Sequence, residues 1–353
     1  MRSADAAKVL ARLAAIAAVL AVAALYGAHR LDGSLIERSA AVAGTRIQVH
    51  PGASLRAVLS ELARVGAVRH PRLVEWDLRI HGQSLRALAG RYELAPGETV
   101  RQILDQLNAG QVVLEQLTIV EGWTFAQLRQ TFDASSALTH EWRKLEDGKL
   151  MAALGQPGVA PEGRFFPDTY RFAAGTSDRR LYELAMQRMR EHLQQQWAAR
   201  EPKLPLADAN AALILASIIE KETGREDERD KVAAVFINRL RIGMRLQSDP
   251  TIIYGLGRSF DGNLRRRDLE TDGPYNSYTR GGLPPTPIAL PGDASLRAAL
   301  HPAATNALYF VATGRGDGSH HFSATYAEHN DALRQFLKRT GAVPDAAVNG
   351  GGG

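Results

Sequence analysis

The chain has 353 residues, 45% of them hydrophobic and 23% charged, enough for about two domains with a sizeable core. It contains no cysteine, which excludes a disulfide scaffold and a cysteine nucleophile. The net charge of +5 is modest and scattered; it lends no support to nucleic-acid binding and suits anionic lipid or an acidic polymer equally well.

The first element is an apolar segment. Leu13 to Ala28 carries no charge, and the apolar stretch reaches back to Val9 apart from Arg12. About 20 residues span a bilayer, so residues 9–28 read as a transmembrane anchor with Arg12 snorkelling to the interface. Arg2, Lys8 and Arg12 keep residues 1–8 in the cytoplasm and send the remainder outward. Ala21-Val22-Ala23 has the small-x-small form of a signal-peptide cleavage site. The apolar run continues through Ala24, Leu25 and Tyr26, which favours an anchor that is not cleaved. Residues 29–44 form a polar linker.

Residues 45–117 carry an internal repeat. Pro51-Gly52-Ala53-Ser54-Leu55 is echoed by Pro96-Gly97-Glu98-Thr99-Val100, and more faintly by Glu121-Gly122-Trp123-Thr124-Phe125. Each copy reads as a glycine turn, a Ser or Thr N-cap and an amphipathic helix. Thr99 with Gln102 and Thr124 with Gln127 have capping-box spacing. Short β-type runs, Arg46–Val49 and Gly90–Leu94, precede two of the copies. Strand, turn and helix in repetition predict a small α+β module.

Residues 118–340 form one larger mixed α/β unit, so the whole chain is of the α+β class. Helices are predicted over Asp178–Gln195, Asp208–Thr223 and Arg229–Ile242, with Gly243 closing the last. Leu308–Thr313 and His320–Ser323 read as a hairpin about a turn at Gly314-Arg315-Gly316-Asp317-Gly318. A final helix starts at Thr325, with Glu328 completing a capping box and Leu333, Phe336 and Leu337 on its buried face. The Gly-rich tail, 341–353, reads as disordered.

Glu220 stands out within this unit. It ends the apolar run Ala211–Ile219 and opens Glu220-Lys221-Glu222-Thr223-Gly224. A carboxyl at the exit of so apolar a helix is expected to be poorly solvated, which disfavours ionisation. A helix end at Gly224 would place the negative end of the helix dipole close by, acting in the same direction. An acid that holds its proton near neutrality is what general acid catalysis requires. Glu222, two residues on, falls on another side of the helix and reads as a supporting or surface residue.

Several segments together carry a family resemblance. They are Glu162-Gly163-Arg164-Phe165-Phe166-Pro167-Asp168-Thr169-Tyr170, Ala216-Ser217-Ile218-Ile219-Glu220-Lys221-Glu222-Thr223 and Phe236-Ile237-Asn238-Arg239-Leu240. They continue with Leu246-Gln247-Ser248-Asp249-Pro250-Thr251-Ile252-Ile253-Tyr254, Tyr275-Asn276-Ser277-Tyr278, Gly282-Leu283-Pro284-Pro285-Thr286-Pro287-Ile288 and Glu328-His329-Asn330. In identity, order and spacing this set resembles the YceG-like family of endolytic murein transglycosylases, from about residue 45 to 340. The N-terminal repeat module resembles LysM-like modules, which implies binding to the N-acetyl sugars of wall glycans.

The resemblance implies a single-pass enzyme of the bacterial inner membrane with its catalytic domain in the periplasm. It would cut the β-1,4 bond from N-acetylmuramic acid to N-acetylglucosamine inside nascent peptidoglycan strands and leave 1,6-anhydro ends. Carried over by position, Glu220 is the catalytic acid and then base. Gln247, Asp249, Tyr275, Asn276 and Tyr278 fall in motifs that line the cleft. Penicillin-binding proteins of the wall-synthesis machinery are the implied partners, alongside the glycan strands and the membrane.

Two other readings stay open. One is a hydrolytic muramidase using Glu220 and Asp249 as its two carboxylates. The other is a peptidoglycan-binding scaffold without catalysis. No cofactor is read: Gly314–Gly318 lacks the helix that follows a dinucleotide fingerprint. No metal is read either, because His320, His321 and His329 lack HExxH spacing. Arg265-Arg266-Arg267 reads as a solvated loop, and His301-Pro302 stands where the resemblance leads one to expect Asn-Pro.

Overall fold

The computed structural model describes residues 14–341 apart from 25, 28, 30–32, 34, 42–43 and 51. The first part of the apolar segment and the Gly-rich tail after Gly341 therefore lie outside the described residues. Residues 14–24 are helical, with Ile16, Val19, Leu20 and Val22 exposed. No helix among the described residues is long and apolar enough to cross a membrane.

The chain divides into two compact units. One runs to Gln116 and takes in Arg171–Thr176; the other comprises Leu117–Tyr170 and the chain from Ser177 onward. In the first unit the order is β1 (Thr45–Val49), α1 (Leu55–Arg64), α2 (Pro71–Ile80), β2 (Gly90–Leu94) and α3 (Val100–Asn108). β1 and β2 pair antiparallel, Thr45 opposite Leu94 and Val49 opposite Gly90. Strand alternation turns Ile47, Val49, Tyr92 and Leu94 to one face. There they are buried with Val58, Leu59 and Leu62 of α1, Val74 and Leu78 of α2, and Ile103, Leu104 and Leu107 of α3. The glycine-turn starts form as the spacing predicts. Ser54 accepts from the Ala57 N–H, and Thr99 with Gln102 closes a capping box, caps worth about 1 kcal/mol each.

The chain passes between units within β3 (Leu114–Thr118) and β5 (Thr169–Ala173), which pair with one another. The second unit opens with α4 (Phe125–Ala134), capped by the Thr124–Gln127 box. It continues through β4 (Leu138–Thr139), α5 (Asp147–Ala153), the Ser177 end of β6 (Thr176–Ser177) and α6 (Asp178–Ala199). Phe125, Phe132 and Phe165 gather around Tyr182 of α6, with ring centroids 4.7 to 6.3 Å away.

At the centre is α7 (Ala209–Glu222), with Asp208 accepting from the Ala211 N–H at its start. All eight residues from Ala212 to Ile219 are buried, so this helix is enclosed on every face. Each fully buried Leu or Ile contributes about 1.5–3 kcal/mol. It packs among α6, α8 (Arg229–Arg241), α9 (Asp249–Leu256) and α11 (Asp293–Leu300). A hairpin of β7 (Tyr309–Ala312) and β8 (His320–Ser323) and the terminal helix α12 (Tyr326–Thr340) complete the unit. Thr325 and Glu328 form the expected capping box, and Ala332 and Leu333 are buried.

Local expectations change at two places. Helix α7 ends at Glu222 because Thr223 turns extended, at φ −144° and ψ 132°; Gly224 does not close it. Arg266 and Arg267 begin a short helix, α10 (Arg266–Glu270), instead of lying in a loop. The three arginines there pair with Asp261, Glu270 and Asp268.

Candidate active site

The end of α7 places Glu220 where the fully buried run gives way to a half-buried position. Ser217, one turn earlier, is the bolt that brings other segments to it. Its hydroxyl donates to the Ile214 carbonyl at 2.7 Å and accepts the Ile288 N–H at 3.0 Å. Two residues on, the Leu290 N–H donates to the Trp123 carbonyl at 2.7 Å, and the Gly122 N–H donates to the Leu290 carbonyl at 2.9 Å. Lys221 Nζ adds a 3.3 Å bond to the Gly122 carbonyl. Segments 121–123, 217–221 and 288–292 are thereby stitched together.

The product of this stitching is a contact between two acids and one glycine. The Gly292 N–H donates to Glu220 Oε2 at 3.0 Å. No hydrogen bond reaches Glu220 Oε1 among the described residues, so that oxygen is open to a ligand. The Glu121 carboxyl packs so closely on Gly292 that a side chain there would overlap it. Burial first, and the Glu220 charge second, hold the Glu121 carboxyl above its ordinary value, while the Arg229 guanidinium pulls the other way.

A second acid cluster sits at the last residue of α7. Ser248 donates to Glu222 Oε1 at 2.5 Å. Burial pushes the Glu222 carboxyl up to about 7, and the nearby Asp249 charge acts in the same direction. Tyr278 donates to Asp249 Oδ1 at 2.6 Å. Ser277 underpins both, accepting from the Ser248 N–H at 2.9 Å and bonding Thr251 Oγ1 at 2.8 Å. Glu222 is thus a member of a polar network and not a surface residue, because the chain from Gln247 to Asp249 folds over it.

Of the residues singled out by the resemblance, Asp249 and Tyr278 are brought together. Gln247 precedes them in a left-handed conformation, φ 49°, which costs a residue with a side chain about 1 kcal/mol or more. Its N–H is held by the Ser277 carbonyl at 3.1 Å. Tyr275 lies elsewhere, edge-on to Tyr254 at 4.9 Å, with its hydroxyl on Thr286 Oγ1 at 2.8 Å. Asn276 is 5% exposed, and its amide is used up on the backbone. Nδ2 donates to the carbonyls of Asp268, Leu269 and Thr271, and Oδ1 accepts the Tyr278 and Thr279 N–H groups. Its place is that of a loop anchor. Among the described residues no hydrogen bond joins Glu220 to Asp249.

Sequence reasoning missed two acids that stand inside quoted motifs, Glu121 and Glu162. Glu162 is 5% exposed; it accepts from the Phe125 N–H at 2.9 Å and from the Tyr254 hydroxyl at 3.1 Å. Burial pushes its carboxyl up to about 7 against those two bonds. In both motifs the acid is followed directly by a positive-φ glycine, Gly122 at 75° and Gly163 at 77°. An acid fixed beside a turn was the available signal.

Glu220 thus presents a carboxyl with one oxygen held by the Gly292 N–H and a second carboxyl beside it, on a mixed α+β unit. A profile of the YceG-like family matches residues 47–335, and the chain belongs to that family. It is similar to an endolytic murein transglycosylase of Bacillus subtilis (strain 168), 31% identical over 340 residues that cover 90% of this chain and 91% of that relative. A second endolytic murein transglycosylase, of Streptococcus pneumoniae serotype 2 (strain D39), is 26% identical over 75% of this chain and 54% of its own length. A crystal structure of a yceG-like protein from Listeria monocytogenes superposes with a TM-score of 0.51 and 28% identity, over 81% of this chain and 98% of that one.

Proposed function

We propose that this chain is a lytic transglycosylase acting on peptidoglycan, with Glu220 as general acid and then base. The observation that carries the reading is the Glu220 carboxyl itself, anchored through Oε2 to Gly292 and open at Oε1. The protonated acid gives its proton to the bridging oxygen as the bond from muramic C1 to that oxygen breaks. The resulting carboxylate takes the proton of the muramic C6 hydroxyl as that oxygen bonds to C1. The product is a 1,6-anhydro end, and no water is consumed. One carboxyl serving in both directions suffices, where hydrolytic glycosidases use two. The Gly292 N–H favours the carboxylate present between the two proton transfers. Asp249 and Tyr278, as a pair, and Gln247 line the sugar cleft in this reading.

The relatives named endolytic support cleavage inside strands. Residues 9–28 act as an inner-membrane anchor that leaves the enzyme in the periplasm; the exposed apolar face of residues 14–24 and the basic residues before it support this. The β1-α1-α2-β2 order, with its antiparallel pair, supports a LysM-like, glycan-binding first unit. Penicillin-binding proteins are the proposed partners, because strand cleavage must be coupled to strand synthesis.

The test is mass spectrometry of sugars released from purified peptidoglycan by the wild type and by Glu220→Gln. Anhydromuramic ends from the wild type, and a loss of at least about a hundredfold in the variant, are expected. Reducing ends would establish hydrolysis instead. Wall binding without any release would establish a scaffold.

A further inference from the structure

A groove of about 650 Å³ lies in the second unit, lined by Glu226, Asp227, Arg229, Asp230, Arg297 and His301 together with Ala294 and Ala298. It adjoins the Glu220 site in the chain on both walls. Helix α11 starts directly after Gly292, and the Glu226–Asp230 wall follows four residues after Glu222. It adjoins it electrostatically as well, since Glu121 feels the charges of Glu220, Arg229 and Glu226 together.

Arg229 is the decisive group. It is 8% exposed, its Nε has no hydrogen-bond partner, and no ion pair holds its guanidinium among the described residues. Its buried Nε lacks a partner, and the Glu121 charge reaches the guanidinium only from beyond ion-pair distance; the fork of donors suits a planar carboxylate. Arg297, exposed one wall away on α11, offers a second cation free of any ion pair among the described residues. Glu226 and Asp230, on the same wall as Arg229, are exposed carboxylates also outside any such pair. Asp227 is taken by Arg225 at 2.7 Å.

We infer that this groove binds the stem peptide carried by the muramic acid, its free carboxylates on Arg229 and Arg297 and the ammonium group of its diamino acid on Glu226 and Asp230. This rests on the peptidoglycan reading above. A groove with both signs of charge fits a zwitterionic peptide; a bare neutral sugar would use none of these charges. The stem peptide is thus a recognised part of the substrate.

The experiment uses the full chain in detergent micelles and two substrates: uncross-linked glycan strands bearing stem peptides, and the same strands stripped of stems by an amidase. The ratio of kcat/KM on the first to that on the second is read for the wild type, Arg297→Glu, Arg229→Gln and Arg229→Lys. A wild-type ratio of about ten or more is expected. It should fall toward one in Arg297→Glu and Arg229→Gln, with partial recovery in Arg229→Lys. A wild-type ratio near one, or variants that slow both substrates alike, overturns the inference. Arg297 is exposed, so its variant carries the test even where the Arg229 variants fold poorly. Should no strand be cut, the functional reading fails separately. Calorimetric binding of a soluble disaccharide–peptide against the peptide-free disaccharide then decides the groove: an unchanged preference in Arg297→Glu overturns it, and a lost preference supports it.

Discussion

The Gly292 N–H donates to Glu220 Oε2 at 3.0 Å, and the α-carbon of that same glycine carries the Glu121 carboxyl against it. One residue without a side chain therefore both anchors the proposed acid and makes room for its neighbour. The backbone there is ordinary, at φ −79° and ψ 174°, so alanine is allowed conformationally. Its methyl group would overlap Glu121. Gly292→Ala is expected to fold with an unchanged melting temperature within a few degrees, and to lose about ten- to a hundredfold in kcat through misplacement of the acid. Glu121→Ala in the same chain should recover part of that loss by vacating the space. Full activity in Gly292→Ala would show that the crowding has no bearing on catalysis.

The two carboxyls form a coupled pair. The Glu220 charge raises the Glu121 value, after burial. A like charge disfavours ionisation, so replacing Glu220 by Gln removes one of the two raising causes and Glu121 must titrate lower. Partial desolvation of the carboxyl persists, so the midpoint should stay above the ordinary glutamate value. Carboxyl carbon NMR of Glu121 in the wild type and in Glu220→Gln reads this directly. An unmoved midpoint would mean that the two acids do not sense one another.

What the sequence made legible was local. Ser54, Thr99, Thr124 and Thr325 begin helices because each cap needs only a residue three positions on. The β7–β8 hairpin follows from the glycines between its strands. Glu220 could be singled out because eight buried neighbours precede it in one uninterrupted run. What stayed hidden depended on distant chain. Glu222 looked peripheral on its helix, and Ser248 encloses it from a separate segment. Asn276 looked like a ligand for sugar, but the loop at Asp268–Thr271 uses its whole amide. Glu121 read as part of a helix start, and its role beside Gly292 exists only because the Gly122 N–H bonds the Leu290 carbonyl and the Leu290 N–H bonds the Trp123 carbonyl.

Ser217 tests how the site is held. Its hydroxyl is fully buried and is the partner of the Ile288 N–H. Ser217→Ala leaves that N–H buried and unpaired, a cost of about 1–3 kcal/mol. It also frees the segment that delivers Gly292 to Glu220. Denaturant unfolding should show a lowered midpoint with the same slope, and kcat should fall while the fold persists. A destabilised variant with undiminished kcat would separate the bolt from the active site.

Glu162 predicts how stability depends on pH. Its folded value is raised from 4.5 to about 7, so between these values the folded chain binds more protons at this site than the unfolded chain does. Stability from this group is then fully present below about pH 4.5 and is lost as pH rises through about 7. A shift of that size corresponds to about 3 kcal/mol. Glu222, raised likewise to about 7, contributes with the same sign. Glu162→Gln keeps an acceptor for the Phe125 N–H and has no charge to desolvate. Unfolding free energies measured at pH 5 and pH 8 should drop across that interval in the wild type and drop less in Glu162→Gln, with Glu222 supplying the remainder. In the double variant Glu162→Gln, Glu222→Gln the interval should be nearly flat from these two sites. An identical drop in the wild type and both variants would place the pH dependence in other groups and remove the case for either acid being protonated in the folded chain near neutrality.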